Sequence, residues 1–404
     1  MDDVVLARGY RFAGVHSGIK PDPGRRDLGL VVSDTPCSAA GVFTQNRVTA
    51  APVQISRQRV PSPNARGVVI CSGNANACTG EQGLQDARRM TLIAAEAVGC
   101  RAEQMLVCST GVIGRPLPMD KIEPGIRSAT AGLAGKPEAF NDLAHAILTT
   151  DTKIKVSSRS LSISGREVRV TGFAKGAAMI GPNMATMLAF VLTDAAVAPN
   201  HLAGIAQRVA ETTFNCISVE GHTSTNDTLL FFANGASASQ SQSAFSRDAK
   251  AEREQFERAA TEVCADLARA IASDAEGASH LVTIEVEGLR TEAEARQIAK
   301  AIADSALVKT AIFGGDPNWG RFVSAAGYAG VVFEEQNLSL WLGETLLYKA
   351  GVPQNFDPAA ASAYLKNNRE ILLRLKFNLD NGRCTFWTCD LGYEYIRLNA
   401  EYTT

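Results

Sequence analysis

The stretch from residue 175 to 190, KGAAMIGPNMATMLAF, carries a single hydroxyl, on Thr186. A threonine hydroxyl needs a base before it can attack a carbonyl. Histidine is scarce: His16, His145, His201, His222 and His280 are the whole supply. None sits at a spacing that signals a Ser–His or Cys–His pair, and His145 and His201 fall in segments that read as helices. A threonine at a new chain start needs no histidine, because its own α-amine, with a pKa of roughly 8, can serve as base. A side-chain hydroxyl can also attack the peptide bond just before it, giving an ester that water opens. Such a cut needs a strained turn, a small preceding residue and donors to hold the oxyanion. Gly181-Pro182-Asn183 offers the turn, Ala185 the small residue, and the β-prone run after Thr186 fixes it rigidly. By pattern alone, a lone threonine in an apolar run is ordinarily a core or edge-strand residue.

Other catalytic signatures are missing. The chain has no G-x-x-x-x-G-K-[ST], H-E-x-x-H, G-x-S-x-G or G-x-G-x-x-G. One S-x-x-K, from Ser17 to Lys20, stands alone beside prolines and reads as a loop. Nine scattered cysteines without a C-x-x-C suggest neither a disulfide framework nor a zinc site, and no metal is expected. They read as small apolar fillers in a reducing compartment.

Composition narrows the function class. Forty basic residues face 42 acidic ones, for a net charge of −2, with no like-charge block to track phosphates. Nucleic acid and membrane surfaces are therefore not expected partners. No apolar run reaches the ~18 residues of a spanning helix. The opening MDDVVLARGY carries two acids where a signal peptide wants positive charge, so a cytoplasmic location is expected. At 404 residues, two domains or one large intertwined unit are the priors.

The elements that must position Thr186 read as α/β or α+β, sheets covered by helices. Short apolar runs in the first half (LGLVVSD, AAGVFTQNRVTAAPVQIS, RGVVICSGNANA, QMLVCSTGVIG) read as strands, with one helix near 84–98. Helices are expected after Asn200, taken as a cap, over 249–273, after a Thr291/Glu294 capping box, and after Asp357-Pro358. The tract at 234–246 reads as a surface loop. Asn381-Gly382 predicts a tight hairpin between ILLRLKFNL and RCTFWTCDL. The alternation in GYEYIRLNAEYTT predicts a C-terminal strand.

With its companions, the Thr186 stretch resembles the ornithine acetyltransferase (glutamate N-acetyltransferase) family. The resemblance covers nearly the whole chain. It rests on SGNANACTG at 72–80, STGVIGRPLP at 109–118, ILTTDTKIK at 147–155, AKGAAMIGPNMATML at 174–188, TFNCISVEGHTSTNDT at 213–228, DAEGASHLV at 274–282 and GGDPNWGR at 314–321. It implies a layered sandwich that resembles, but is distinct from, the N-terminal-nucleophile hydrolases. It implies self-cleavage between Ala185 and Thr186, giving an α chain, 1–185, and a β chain, 186–404, paired again into a heterotetramer of two of each. The implied reaction moves acetyl from N-acetylornithine to glutamate through acetyl-Thr186, releasing ornithine and N-acetylglutamate. No cofactor is implied, and acetyl-CoA stays open as a second donor.

The resemblance also assigns residues. Thr110 and Gly111 match the oxyanion donors, Thr150, Lys175, Glu276, Asn399 and Thr404 the substrate contacts. An ammonium at Lys175 suits a carboxylate, and a carboxylate at Glu276 suits an amine. Three positions depart from the family pattern: Glu220 and His222, both usually Asp, and His280, usually Lys. They bear on substrate preference and on how the loop is held. Two other readings stay open: a self-cleaving amidase or aminopeptidase, and an uncleaved, non-catalytic paralogue.

Overall fold

A computed structural model describes residues 4–181, 187–237 and 250–401. Ala185, Thr186 and Thr404, and the tract from 238 onward in the expected surface loop, lie outside the described residues.

Eight strands form the first sheet: β1 (Tyr10–Val15), β2 (Leu28–Phe43), β3 (Ser62–Asn74), β4 (Met105–Val112), β5 (Lys155–Ile163), β6 (Arg166–Lys175), β7 (Leu188–Thr193) and β8 (Thr228–Ala233). Their order is β4-β3-β2-β8-β7-β6-β5, with β1 also paired to β2. Long β2 serves two partners along one edge: its first half pairs with β1 and its second half, from Ser38, with β8. The parallel pairs β3/β4 and β7/β8 need crossovers, and α2 (Gly80–Val98) and α5 (Pro199–Thr212) supply them.

Helices cover both faces, so the central strands are apolar on both sides. In β8, Leu229 and Phe231 pack under α5 and α6 (Lys250–Ser273), with Leu202, Val263 and Leu267. The alternate Leu230 and Phe232 face the other core with Phe140, Leu143 and Phe12, closed by α4 (Pro137–Ala146). A third core lies between β2–β3 and α1 (Ala51–Gln58), α2 and α3 (Met119–Ala131).

The second sheet has the order β12-β11-β10-β13-β9-β14: β9 (Leu281–Leu289), β10 (Ser339–Leu342), β11 (Thr345–Lys349), β12 (Val352–Pro353), β13 (Glu370–Lys376) and β14 (Gly382–Cys389). Its core of Ile284, Val286, Leu340 and Leu373 is shared with α7 (Glu292–Asp304), α8 (Ala306–Gly314), α9 (Trp319–Gly327) and α10 (Pro358–Asn367). The last element among the described residues is α11 (Tyr393–Glu401).

The layered α/β expectation is met, with corrections to individual elements. The first half holds four helices rather than one, including α1 within a run read as strand; Pro52 in its first turn suits a helix start. The hairpin at Asn381-Gly382 does not form. Strands β13 and β14 flank β9, which pairs parallel to one and antiparallel to the other. The helix after Pro199 begins at that residue with Ala198 as cap, so Asn200 lies one position inside. Thr291 caps α7 through the Glu294 amide, but the Glu294 carboxylate takes the amide of Arg290 rather than closing the box. The C-terminal segment is α11, with no buried residue to seat it in a sheet. Lys20 is buried, its Nζ donating to the carbonyls of Arg26 and Leu148, just before the Thr149-Thr150 loop.

Candidate active site

Strand ends and the segments beyond them enclose a cavity of about 510 Å³. Thr110, Gly111, Thr150, Lys175, Glu276 and Asn399 all line it. Positions more than 280 residues apart in sequence thus share one space.

Thr110 and Gly111 stand near the end of β4, in parallel register with Ser72 and Gly73 of β3. The strands approach so closely there that a Cβ on Gly111 would lie 2.3 Å from the carbonyl carbon of Gly73, and Gly111 holds φ +131°. Only glycine fits. Lys175 ends β6 and is buried, and its Nζ donates to Thr110 Oγ1 at 3.2 Å. Taking that proton on its lone pair leaves the Thr110 hydroxyl hydrogen free to donate into the cavity.

Burial pulls the Lys175 pKa down from the ordinary 10.5, while nearby Asp151 pushes it back up. Asp151 is itself locked. Its Oδ1 accepts from Gly176 N at 2.6 Å and from Lys155 Nζ at 2.7 Å, and its Oδ2 from Thr149 N at 3.0 Å. Burial raises the Asp151 pKa, but Lys175 and Lys155 outweigh it and hold the carboxyl well below its usual range. One carboxylate therefore ties the Thr149-Thr150 loop to the end of β6. Lys155 also reaches Asp274 Oδ2 at 2.6 Å, anchoring the turn that carries Glu276.

Glu276 follows α6, its amide donating to Ala177 O at 2.9 Å. Asn399 Nδ2 donates to Glu276 Oε2 at 3.2 Å. Tyr395, Leu398 and Asn399 line the cavity together because they share one face of α11, at i, i+3 and i+4. The helix thus delivers Asn399 where a strand was expected.

The segment before β8 supplies further residues of the site. Glu220 and His222, two of the departures, line the cavity. Glu220 Oε1 accepts the amide of Ile180 at 2.5 Å, and Ile180 O accepts the amides of Val219 and Gly221. Burial pushes the Glu220 carboxyl up to about 7. Asn226 Nδ2 bridges Ala75 O and Ser109 O, at 2.6 and 2.8 Å, pinning the β3 and β4 ends. Asp227 is fully buried, raised well above the usual carboxyl range by that burial, and accepts the amide of Met187 at 3.2 Å. In the sequence Asp227 stands within the motif at 213–228, just before the buried strand β8. His280, the third departure, lies away from the cavity, its Nδ1 paired with Asp390 at 2.7 Å.

A buried cation beside a free hydroxyl donor, with a carboxylate across the space, defines a layered α/β enzyme suited to a small charged amino-acid derivative. The ArgJ family matches residues 11–404, and the chain belongs to that family. The arginine biosynthesis bifunctional protein ArgJ of Rhodopirellula baltica is 44% identical over 99% of this chain and 97% of its own. The crystal structure of the Bacillus halodurans protein of the same name is 38% identical, with a TM-score of 0.50, over 53% of this chain and 98% of that one. An ornithine acetyltransferase of Mycobacterium tuberculosis, solved with ornithine, is 35% identical at a TM-score of 0.40, over 46% of this chain and 95% of that one. The activity is acetyl transfer in arginine biosynthesis, that of a glutamate N-acetyltransferase.

Proposed function

We propose that the chain cuts itself between Ala185 and Thr186 and then carries acetyl from N-acetylornithine to glutamate on the Thr186 hydroxyl. In the first half-reaction the Thr186 α-amine takes the hydroxyl proton and Oγ1 attacks the acetyl carbonyl. The C–N bond breaks, and ornithine leaves with the proton. Glutamate's amine then attacks acetyl-Thr186, releasing N-acetylglutamate and the free hydroxyl. Thr110 and Gly111 are the donors to the oxyanion of both steps. Lys175 takes a substrate carboxylate, and Glu276, held by Asn399, an amine; Thr150 and Thr404 complete the contacts. No cofactor or metal enters.

The observation that carries this reading is the Lys175–Thr110 pair in the same cavity as Glu276. Chain connectivity adds support: Met187, whose amide Asp227 holds, is bonded directly to Thr186. So does length. A cut after residue 185 leaves 404 − 185 = 219 residues, 54% of the chain, against the 53% that matches 98% of the solved Bacillus halodurans chain. The relatives' description as bifunctional favours acetyl-CoA as a second donor to glutamate.

Denaturing mass spectrometry of the purified protein and of Thr186→Ala tests the cut. Two fragments in the first, with Thr186 leading the second, and one chain in the variant are expected. Incubation with N-acetylornithine alone should then add one acetyl group to the Thr186 fragment. An intact wild-type chain would remove the proposal. Acetyl-CoA in place of N-acetylornithine, with glutamate present, decides the second donor.

A further inference from the structure

Away from this cavity, two cysteines 168 residues apart meet sulfur to sulfur at 3.8 Å. Cys216 closes the 3-10 turn Phe214–Cys216 after α5, and Cys384 stands on β14, the edge strand of the second sheet. No other cysteine pair among the described residues is in such contact. The pair is not sealed in a core. Both line a second cavity of about 530 Å³, together with Arg296, Arg383, Glu292 and Trp387. Cys216 is buried, while Cys384 is only partly so.

The surroundings divide the labour between the two thiols. Contact with Cys216 and, against burial, the Arg296 guanidinium lower the Cys384 thiol pKa, while the same contact, with burial, raises that of Cys216. The Cys216 Sγ lies 3.4 Å from the Glu211 carbonyl oxygen, to which its S–H donates. Exposure separates their roles: a partly exposed sulfur on a cavity wall beside an arginine is the one a solute can reach, and a buried thiol in contact behind it is placed to resolve it.

We propose that Cys384 and Cys216 form a dithiol that reacts with hydroperoxides and closes to a reversible disulfide. The Cys384 thiolate attacks the terminal peroxide oxygen; the O–O bond breaks, and the alkoxide or hydroxide takes a proton from solvent. Cys384 is then a sulfenic acid. Cys216 sulfur attacks Cys384 sulfur, the S–O bond breaks, and water leaves with the Cys216 proton. Two thiols give up two electrons, and the hydroperoxide is reduced to an alcohol, or to water, plus one further water. The sulfurs must close from the 3.8 Å of contact to the ~2.0 Å of a disulfide.

The test uses the whole purified protein and hydrogen peroxide, followed by iodoacetamide and peptide mass spectrometry. The expected result is loss of two of the nine alkylatable thiols. A Cys216–Cys384 peptide pair should appear, lighter by two hydrogens and reversed by dithiothreitol. In Cys216→Ser the reaction should stop at a sulfenic acid on Cys384, trapped by dimedone. Wild-type protein in which both cysteines are still alkylated after peroxide overturns the proposal. So does Cys384 oxidised to sulfinic acid with Cys216 free, or either one joined to another cysteine.

Discussion

Thr110 accepts a hydrogen bond from Lys175 Nζ and keeps its own hydroxyl hydrogen to give. Thr110→Val keeps the shape of the buried site and removes the donor. Steady-state kinetics should show kcat falling about 10²–10³-fold, the usual loss for one oxyanion donor, with KM little changed. A parallel fall in binding would instead make Thr110 a substrate contact. Glu220 makes a second prediction at this scale. Its carboxyl is raised by burial from 4.5 to about 7, so the folded state holds a proton that the unfolded chain has lost. Stability from this group is complete below pH 4.5 and is lost as pH rises through about 7. Glu220→Gln keeps the acceptor for the Ile180 amide. Melting temperatures of the variant across that window should fall less with pH than those of the parent.

Among the elements, β7 lies between β8 and β6, the strand that ends in Lys175. It begins two residues after Thr186 in sequence, and the amide of Met187, the residue between, is held by Asp227. Phe190 of β7 stacks on Phe173 of β6 with ring centroids 4.8 Å apart, and Phe173 meets Phe140 of α4 edge-on at 5.5 Å. Phe190→Ala should cost ~3–5 kcal/mol in urea or guanidinium unfolding, the range for a buried phenylalanine. A loss under 1 kcal/mol would mean that the core collapses around the gap. The misread elements teach the same point. RCTFWTC and EILLRLK each carry the period of a strand, but period does not name a partner, and β9 enters between them. GYEYIRLNA alternates enough for a strand, yet no sheet edge receives it, and its i, i+3, i+4 face meets the cavity instead.

For the molecule as a whole, the proposed cut would pass through a shared sheet. Strands β7 and β8 come from the second fragment, and they lie between β2 and β6 of the first. Every strand contact at those two borders is interfragment, so the fragments should stay together after cleavage. Native mass spectrometry of the cleaved protein should show both, and 1–185 expressed alone should fail to fold, having lost the middle of its sheet. Recovery of a soluble, cooperatively melting 1–185 would contradict this.

The residues proposed for the chemistry were named from the sequence only through the family resemblance: the A-T junction at 185–186, the Thr-Gly at 110–111, Lys175, Glu276 and Asn399 each have an ordinary structural reading when taken alone. The layered class and the capped helices after Thr291 and Asp357 were legible directly, because caps and hydrophobic period are local properties. What only the tertiary structure decided is which of these meet. Lys175 on Thr110, Asp151 tying Thr149 to Gly176, and Glu220 on Ile180 are contacts across 25 to 65 residues. The meeting of Cys216 with Cys384 spans 168. Strand order and the burial of charge arise from packing of the whole chain. No window of sequence contains them.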